Sequence, residues 1–144
     1  MKHLGIVFLL LVTMKVSQAQ VGLSYFPWQS ELAINTNSKK LIWGDLRIAT
    51  NTFFGNLSFE PALMLNLKRH EKYQLYTGLG GNFNFFNAFG DLPITNGSAL
   101  YLGCRAPFLK SMPKVNFIFE LSPYFNPTFS GGQLRSKIGI AYQF

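Results

Sequence analysis

The stretch that decides the fold is Ser136-Lys-Ile-Gly-Ile-Ala-Tyr-Gln-Phe144. Successive side chains of a β-strand point to opposite faces, so strict alternation of apolar with small or polar residues predicts a strand with one continuous apolar face. The apolar face carries Ile138, Ile140, Tyr142 and Phe144. The opposite face carries Lys137, Gly139, Ala141 and Gln143. An apolar face of this kind must contact apolar surroundings, and a lipid bilayer is the surrounding that we expect.

The same alternation recurs along the whole chain, and no window shows a long helical period. Segments of roughly ten alternating residues separated by turn residues are typical of transmembrane β-barrels. The sequence therefore predicts an all-β protein, an eight-stranded antiparallel up-and-down transmembrane β-barrel. The predicted strands lie at 21–26, 31–35, 40–50, 57–67, 73–85, 100–108, 115–122 and 136–144.

The N-terminal residues are predicted to be a cleaved signal peptide. A short charged start precedes an apolar run over 4–13, and Ser17 and Ala19 place small residues at the −3 and −1 positions of a cleavage site. The apolar run is much shorter than the ~20 residues of a membrane-spanning helix. We therefore expect a signal peptide over 1–19 and a single barrel domain over 20–144.

The charge and cysteine content exclude several function classes. Without Lys2 and Lys15, the 13 basic residues become 11 against 6 acids, so the predicted mature chain carries a formal charge of +5. No clustered stripe of Lys and Arg accompanies this mild excess, which argues against nucleic-acid binding. Cys104 is the only cysteine, so disulfides and cysteine-based metal sites are excluded. Small secreted soluble domains usually need disulfides, so their absence favours a chain stabilised by a bilayer.

The predicted connections between strands fall into two chemically different sets. Every second connection, counted back from the C-terminus, lies at the same end of the barrel. One set with its neighbour Lys40 holds seven of the eleven basic residues: Lys39, Lys40, Lys68, Arg69, Lys72, Lys110 and Lys114. The other set has no Lys or Arg, and with its neighbours it forms an aromatic rim of Trp28, Phe53, Phe54, Phe86, Phe89, Phe125 and Phe129. Aromatic girdles at the membrane interface are typical of outer-membrane barrels. Such barrels have short periplasmic turns and longer outside loops, so counting back from a periplasmic Phe144 predicts that the basic end is periplasmic.

The face opposite the apolar one is predicted to be the barrel interior. It is rich in Gly, Ala and Ser, which suit the narrow lumen of an eight-stranded barrel. It also carries the charged residues Glu31, Asp45, Arg47, Glu60, Arg105, Glu120 and Lys137. Buried charges must be paired and hydrogen-bonded, so we expect an internal ion-pair network, with Arg47 bonded to Glu60 and Arg105 to Glu120. Tyr101 is expected to cover glycines of the neighbouring strand, Gly78 and Gly80.

Two features fit this model less well. The first two predicted strands are shorter than the ~9–11 residues of a transmembrane strand. Pro61 and Pro123 fall within predicted strands, where each removes a donor of the ladder, and β-bulges would accommodate them.

The alternating strands, the predicted signal peptide and the terminal Ile138-x-Ile140-x-Tyr142-x-Phe144 resemble the small bacterial outer-membrane barrels of the OmpA/OmpX type. The resemblance spans the predicted mature chain and implies export to the outer membrane of a Gram-negative bacterium, with outer-membrane lipids and the barrel-assembly machinery as partners. In that class the C-terminal aromatic and the apolar residues at alternating positions before it form the assembly signal. Here these positions are Ile138, Ile140, Tyr142 and Phe144.

The sequence offers little support for catalysis. His70 is the only histidine of the predicted mature chain and falls in a basic turn, and no cluster of His, Cys and carboxylates favours a metal site or another cofactor. We therefore expect a non-enzymatic barrel with a side-chain-filled interior and a structural, lipid-interacting or partner-interacting role. The alternatives are a narrow channel for small solutes or ions, a secreted lipocalin-like binding protein and a lipid A-modifying enzyme.

Overall fold

Eight antiparallel strands close into an up-and-down barrel, which confirms the predicted all-β, eight-stranded fold. The structure, a computed structural model, describes residues 20–49 and 57–144. The strands are β1 (Gly22–Phe26), β2 (Glu31–Asn35), β3 (Ile42–Ala49), β4 (Phe59–His70), β5 (Tyr73–Phe83), β6 (Thr95–Leu109), β7 (Met112–Phe125) and β8 (Gly132–Gln143). Each strand pairs with the next along the chain, and β1 pairs with β8. The predicted signal peptide over 1–19 lies outside the described residues, as do Phe53 and Phe54.

The closing pair joins β1, one of the two shortest strands, to the stretch from which the fold was predicted. Leu23 stands opposite Tyr142, and Tyr25 stands opposite Ile140. The amide of Phe144 donates a hydrogen bond to the carbonyl oxygen of Val21 at 3.0 Å. The terminal strand thus seals the barrel against β1, as the sequence predicts.

Two ends of the barrel can be distinguished by their connections. We call the end that holds the connections 36–41, 71–72 and 110–111 the basic end. The opposite end, with connections 27–30, 84–94 and 126–131, is the aromatic end. The seven predicted basic residues of the first end are all exposed there, although Lys68 and Arg69 belong to β4 and Lys114 to β7 rather than to turns. The strands are therefore longer at this end than the sequence indicates.

Strand length varies strongly around the barrel. Strands β1 and β2 have 5 residues each, whereas β6 and β7 have 15 and 14. Strand β1 pairs with β8 only at residues 140–143, so residues 132–139 of β8 extend beyond β1 toward the aromatic end. The 3-10 turn Pro27–Gln29 lies beside this part of β8. The Gln29 side chain donates from Nε2 to the carbonyl oxygen of Ser136 at 2.8 Å. The short first hairpin is thus fastened to the long last one by its turn.

The prolines within strands do not shift the register. Pro61 stands opposite Leu46 in the continuous β3–β4 ladder, and the β4–β5 pairing skips Pro61 and resumes in the same register. Pro123 likewise stands opposite Leu134 on β8, while the β6–β7 pairing skips it. Because proline has no N–H, the skipped side is the side where the ladder lacks a donor. The expectation of bulges at these prolines is therefore wrong, and the register shifts lie at 66–68, 82–83 and 107–109.

The two faces of the barrel differ sharply in chemistry. Large apolar side chains point outward and are exposed in mid-strand, with Leu63 63%, Leu79 64% and Leu102 55% exposed. The interior holds the buried core, including Trp43, Tyr76 and Tyr101, together with buried charged residues. Every Lys, Arg, Asp and Glu of the described residues lies either in the interior or at one of the two ends. Among those residues, no helix has the length and apolar character needed to cross a bilayer.

Candidate functional site

The charged groups of the interior, Arg105 excepted, form one connected cluster. Alternation along the strands turns all seven predicted charged residues inward, and each is at most 9% exposed. An eighth residue, Arg135 on β8, joins them with a side chain 22% exposed. We call the directly bonded members the ion-pair core: Glu31, Asp45, Arg47, Glu60, Glu120, Arg135 and Lys137.

Arg47 is the centre of the ion-pair core. Its two terminal nitrogens bond the two oxygens of Glu120 at 2.6 and 2.9 Å, a bidentate pair across the lumen. Its Nε donates to Asp45 Oδ2 at 3.0 Å, and its Nη1 lies 3.6 Å from Glu31 Oε1. The guanidinium also stacks 4.2 Å from the ring centre of Tyr101. A planar guanidinium can satisfy several carboxylates at once, which explains how one residue joins β2, β3 and β7.

Lys137 and Glu60 extend the ion-pair core toward the aromatic end. The Lys137 ammonium contacts both oxygens of Glu31 at 2.8 and 2.7 Å and lies 3.8 Å from Glu60. Glu60 also accepts hydrogen bonds from Asn82 at 3.0 Å and from the hydroxyl of Tyr101. Arg135 approaches Glu60 at 3.5 Å from the aromatic end. Every carboxylate of the ion-pair core therefore has a cationic partner, as buried charge requires.

The pairs differ from those expected from neighbouring strands. Arg47 and Glu60 stand directly opposite each other in the β3–β4 register, yet Arg47 bonds Glu120 on the far wall. Arg105 makes no salt bridge with Glu120 and stacks instead on Trp43, 4.6 Å from its ring centre. The expected pairs Arg47 with Glu60 and Arg105 with Glu120 are wrong, because long side chains in a narrow lumen reach across the axis.

An aromatic layer closes the lumen beside the ion-pair core. Trp43 and Tyr76 pack edge to face with ring centres 5.5 Å apart, and both are at most 2% exposed. The hydroxyl of Tyr76 donates to Glu120 at 2.8 Å. A methyl group at Gly103 would overlap the Tyr76 ring, so the tyrosine occupies the space that this glycine leaves free. At Gly80 an added methyl group would meet the Tyr101 hydroxyl and the carbonyl oxygen of Pro61, whereas Gly78 lies under Met64 rather than under Tyr101.

Neutral polar groups fill the lumen at the basic end. Asn66 accepts a hydrogen bond from the indole N–H of Trp43 at 3.2 Å and donates to the carbonyl oxygen of Ser38 at 2.7 Å. Ser38 is 5% exposed and donates to Gln143 at 3.1 Å. The β2–β3 connection therefore folds over the mouth of the barrel and is held there by buried amides.

The remaining predicted residues lie at the two ends or on the outer surface. Trp28, Phe89 and Phe129 are 74%, 89% and 71% exposed at the aromatic end. Phe86 lies beside Phe89, and Phe125 lies beside Phe129. The apolar side chains of the predicted assembly signal face outward along β8, where Ile138 is half-buried, Ile140, Tyr142 and Phe144 are exposed, and the last two rings pack 4.9 Å apart.

The chemical options of the site are narrow. His70 is exposed at the basic end, where its ring stacks on Tyr73 at 5.3 Å, away from the ion-pair core. Over residues 20–49 and 57–144, no group of three or more His, Cys, Asp or Glu is placed to hold a metal ion. The arrangement can hold charge inside the barrel, fix the register of its strands and block its lumen.

Sequence reasoning missed Arg135 and the neutral partners of the carboxylates. Arg135 precedes Lys137 by two positions and so shares its face, but Gly131-Gly-Gln133 indicated a turn and placed the start of the strand too late. Asn82 and Asn66 stand on inward positions of predicted strands, and this position is a signal by which they could have been included among the interior residues.

Comparison of the chain with protein-family models, with curated proteins and with solved structures finds no match.

Proposed function

We propose that the chain is a non-enzymatic outer-membrane β-barrel of a Gram-negative bacterium, similar to the OmpA/OmpX type. Its role is structural, or it contacts lipids and partner proteins through its outer surface and its ends. The observation that carries this proposal is the inverted distribution of side chains, with leucines exposed outside and salt bridges buried inside.

The outer face supports a lipid environment. Leu63, Leu79, Leu102 and Ile140 expose between 51% and 64% of their surface in mid-strand. Soluble monomers rarely expose contiguous apolar surface on this scale. A charged side chain placed on such a face in a bilayer costs ~2–4 kcal/mol at the midplane, and none of the described outward mid-strand positions carries one. Outer-membrane lipids are therefore the proposed partners of this face.

The two ends support an orientation across the bilayer. Exposed Trp and Phe side chains at one end suit the membrane interface, and the ring of Lys and Arg at the other suits anionic headgroups and the periplasm. The apolar outer face of β8 and the terminal aromatics suit recognition by the barrel-assembly machinery. The basic residues form a ring around a barrel mouth and not a groove that follows a nucleic acid.

The filled lumen argues against the channel alternative. Conduction would require separation of the Arg47–Glu120 and Lys137–Glu31 pairs, whose members are at most 9% exposed, and displacement of Trp43 and Tyr76. We expect no stepwise currents when the purified barrel is added to planar bilayers. Regular single-channel steps that disappear on heat denaturation would favour the channel instead.

Fractionation of the producing cells tests the proposal against a secreted lipocalin-like binder. We expect the mature chain in the outer-membrane fraction, resistant to alkaline carbonate and released by detergent. We also expect it to run faster on gels before boiling than after, as a folded barrel does. A chain recovered free in the periplasm or medium without detergent would overturn the membrane proposal and favour the soluble binder.

A further inference from the structure

We propose that the basic end of the barrel contains a binding site for a phosphate group, anchored by Arg105. This residue is 4% exposed, yet no carboxylate of the described residues lies within 4.0 Å of its guanidinium. Its Nε is shielded from solvent without a hydrogen-bond partner. The other three interior cations, Arg47, Arg135 and Lys137, all have carboxylate partners.

Two aromatic rings of the lumen hold the guanidinium of Arg105. The guanidinium carbon lies 4.6 Å from the ring centre of Trp43 and 5.6 Å from that of Tyr76. Such cation–π contacts hold the guanidinium through its charge and do not use its N–H groups as donors to an oxygen. A guanidinium edge with free N–H groups binds the oxygens of a phosphate or carboxylate in pairs.

Arg105 lines a cavity of about 490 Å³ at the basic end. Asn116 also lines this cavity, on β7 two register positions closer to the mouth than Arg105, and its amide has no hydrogen-bond partner among the described residues. Gln74 stands opposite Arg105 in the β5–β6 register, but its amide is already bonded to Asn66 and Ser38. The cavity therefore offers donor groups of Arg105 and Asn116 that make no hydrogen bond within the described residues, and the first of them is charged.

The charge of the cavity favours phosphate over a single carboxylate. Lys39 and Arg69 line it with Arg105, against one acid, Glu71. Five further basic residues surround the same end: Lys40, Lys68, Lys72, Lys110 and Lys114. A concentrated positive field attracts the more highly charged anion. The phosphate could belong to a lipid headgroup or to a free solute, since both present the same oxygens. The site itself does not depend on the proposed membrane location.

The chain contains a reporter for this site. Trp28 and Trp43 are its two tryptophans, and Trp28 is 74% exposed at the aromatic end. Trp28→Phe therefore leaves Trp43, stacked on Arg105, as the single tryptophan. The folded W28F barrel in uncharged maltoside micelles is titrated with sodium phosphate, and with sodium chloride at equal ionic strength. Phosphorus NMR line widths of the same samples report binding without relying on Trp43.

We expect saturable changes in Trp43 emission and phosphorus line width with phosphate and not with chloride. Arg105→Gln should weaken binding about ten- to a hundredfold, since hydrogen bonds to charged groups are the strong ones. Lys114→Gln removes a charge at the same end outside the cavity wall and should change the affinity less than twofold.

A second titration uses dihexanoyl phosphatidylglycerol in place of inorganic phosphate. Saturation at a lower concentration than with inorganic phosphate identifies a site for a lipid headgroup. Saturation at a higher concentration identifies a site for free phosphate.

Equal responses to phosphate and chloride would overturn the proposal, as would unchanged phosphate affinity in folded R105Q. Heat-dependent gel mobility shows whether R105Q folds. If it does not, Arg105→Lys keeps the charge without the paired donors and should weaken phosphate binding several-fold, and unchanged affinity in that variant would overturn the site. Because these measurements use folded barrel in micelles, their failure leaves the fractionation result unaffected.

Discussion

Single residues in this barrel differ in how many partners depend on them. Glu120 is fully buried, bonds Arg47 through both oxygens and accepts from Tyr76. Arg47 bonds Glu120 and Asp45 and lies near Glu31. Removing Glu120 leaves one cation with fewer partners, whereas removing Arg47 deprives three carboxylates of a cation.

Glu120→Gln should destabilise the barrel by ~3–5 kcal/mol, because it removes the bidentate carboxylate partner of the buried Arg47. Arg47→Met should destabilise the barrel more, because it deprives three carboxylates of a cation. The measurement is the urea dependence of tryptophan fluorescence and gel mobility in detergent micelles. Glu71→Gln serves as control, since Glu71 is exposed in the β4–β5 connection and should leave the midpoint unchanged. Equal midpoints for E120Q and the unsubstituted barrel would contradict the assigned pair.

A glycine substitution tests the packing of the aromatic layer. A methyl group at Gly103 would overlap Tyr76 and push its hydroxyl away from Glu120. We expect Gly103→Ala to cost ~1–3 kcal/mol through overpacking, with a loss of heat-resistant gel mobility at a lower temperature. At Gly44, the nearest atom to an added methyl is Thr36 Cγ2 at 3.9 Å. Gly44→Ala should therefore leave the transition temperature close to that of the unsubstituted barrel, and similar losses at both positions would refute this packing.

At the scale of strands, alternation carries most of the information that the sequence contains. The faces of β3 to β8 follow from period-2 patterning, since a one-residue slip would exchange the interior and exterior. Lys137 and Arg47 could therefore be placed inside without a structure. The choice of Glu120 as partner of Arg47 could not, because it depends on which far-wall residue lies at the same height. The height of each residue along the barrel axis depends on how the strands are staggered when the barrel closes. The alternation within a single strand contains no information about this stagger.

The limits of the strands were less predictable than their faces. Strand β8 begins at Gly132 because its ladder with β7 continues to Phe125, despite the glycines that suggested a turn. Pro61 and Pro123 remain in register because an outward-facing proline costs one ladder donor without requiring an extra residue. Both outcomes depend on pairing with a neighbouring strand, which overrides local sequence preference.

The terminal strand provides a test of assembly that is separate from stability. Phe144 is 64% exposed, and its backbone makes one hydrogen bond to Val21. Deleting Phe144 should reduce the folded, heat-modifiable form in the outer membrane while export to the periplasm continues. The purified variant should still refold in micelles, since little packing is lost. Phe89→Ala, which removes a more exposed aromatic at the opposite end, is the control. Normal assembly without Phe144 would show that the terminal residue is not a signal.

The whole molecule resembles a water-soluble protein turned inside out. The interior is held by seven charged side chains and an aromatic layer, and the exterior between the two ends is apolar. In water, this apolar exterior would favour aggregation. In a bilayer, the same side chains would contact lipid chains, which are also apolar. What surrounds the middle of the outer face therefore decides between a membrane-spanning and a soluble barrel.

The most direct test is the accessibility of a spin label at Leu102, which lies in the middle of β6, points outward and is 55% exposed. The label is attached to Leu102→Cys in a Cys104→Ser protein, which has no other cysteine, and the barrel is reconstituted into liposomes. Ser130→Cys, in the β7–β8 connection, provides the matched reference. We predict that molecular oxygen relaxes the label at position 102 strongly and a water-soluble nickel chelate does so weakly, with the opposite order at position 130. Equal access of the nickel chelate to both positions would contradict the lipid-facing barrel.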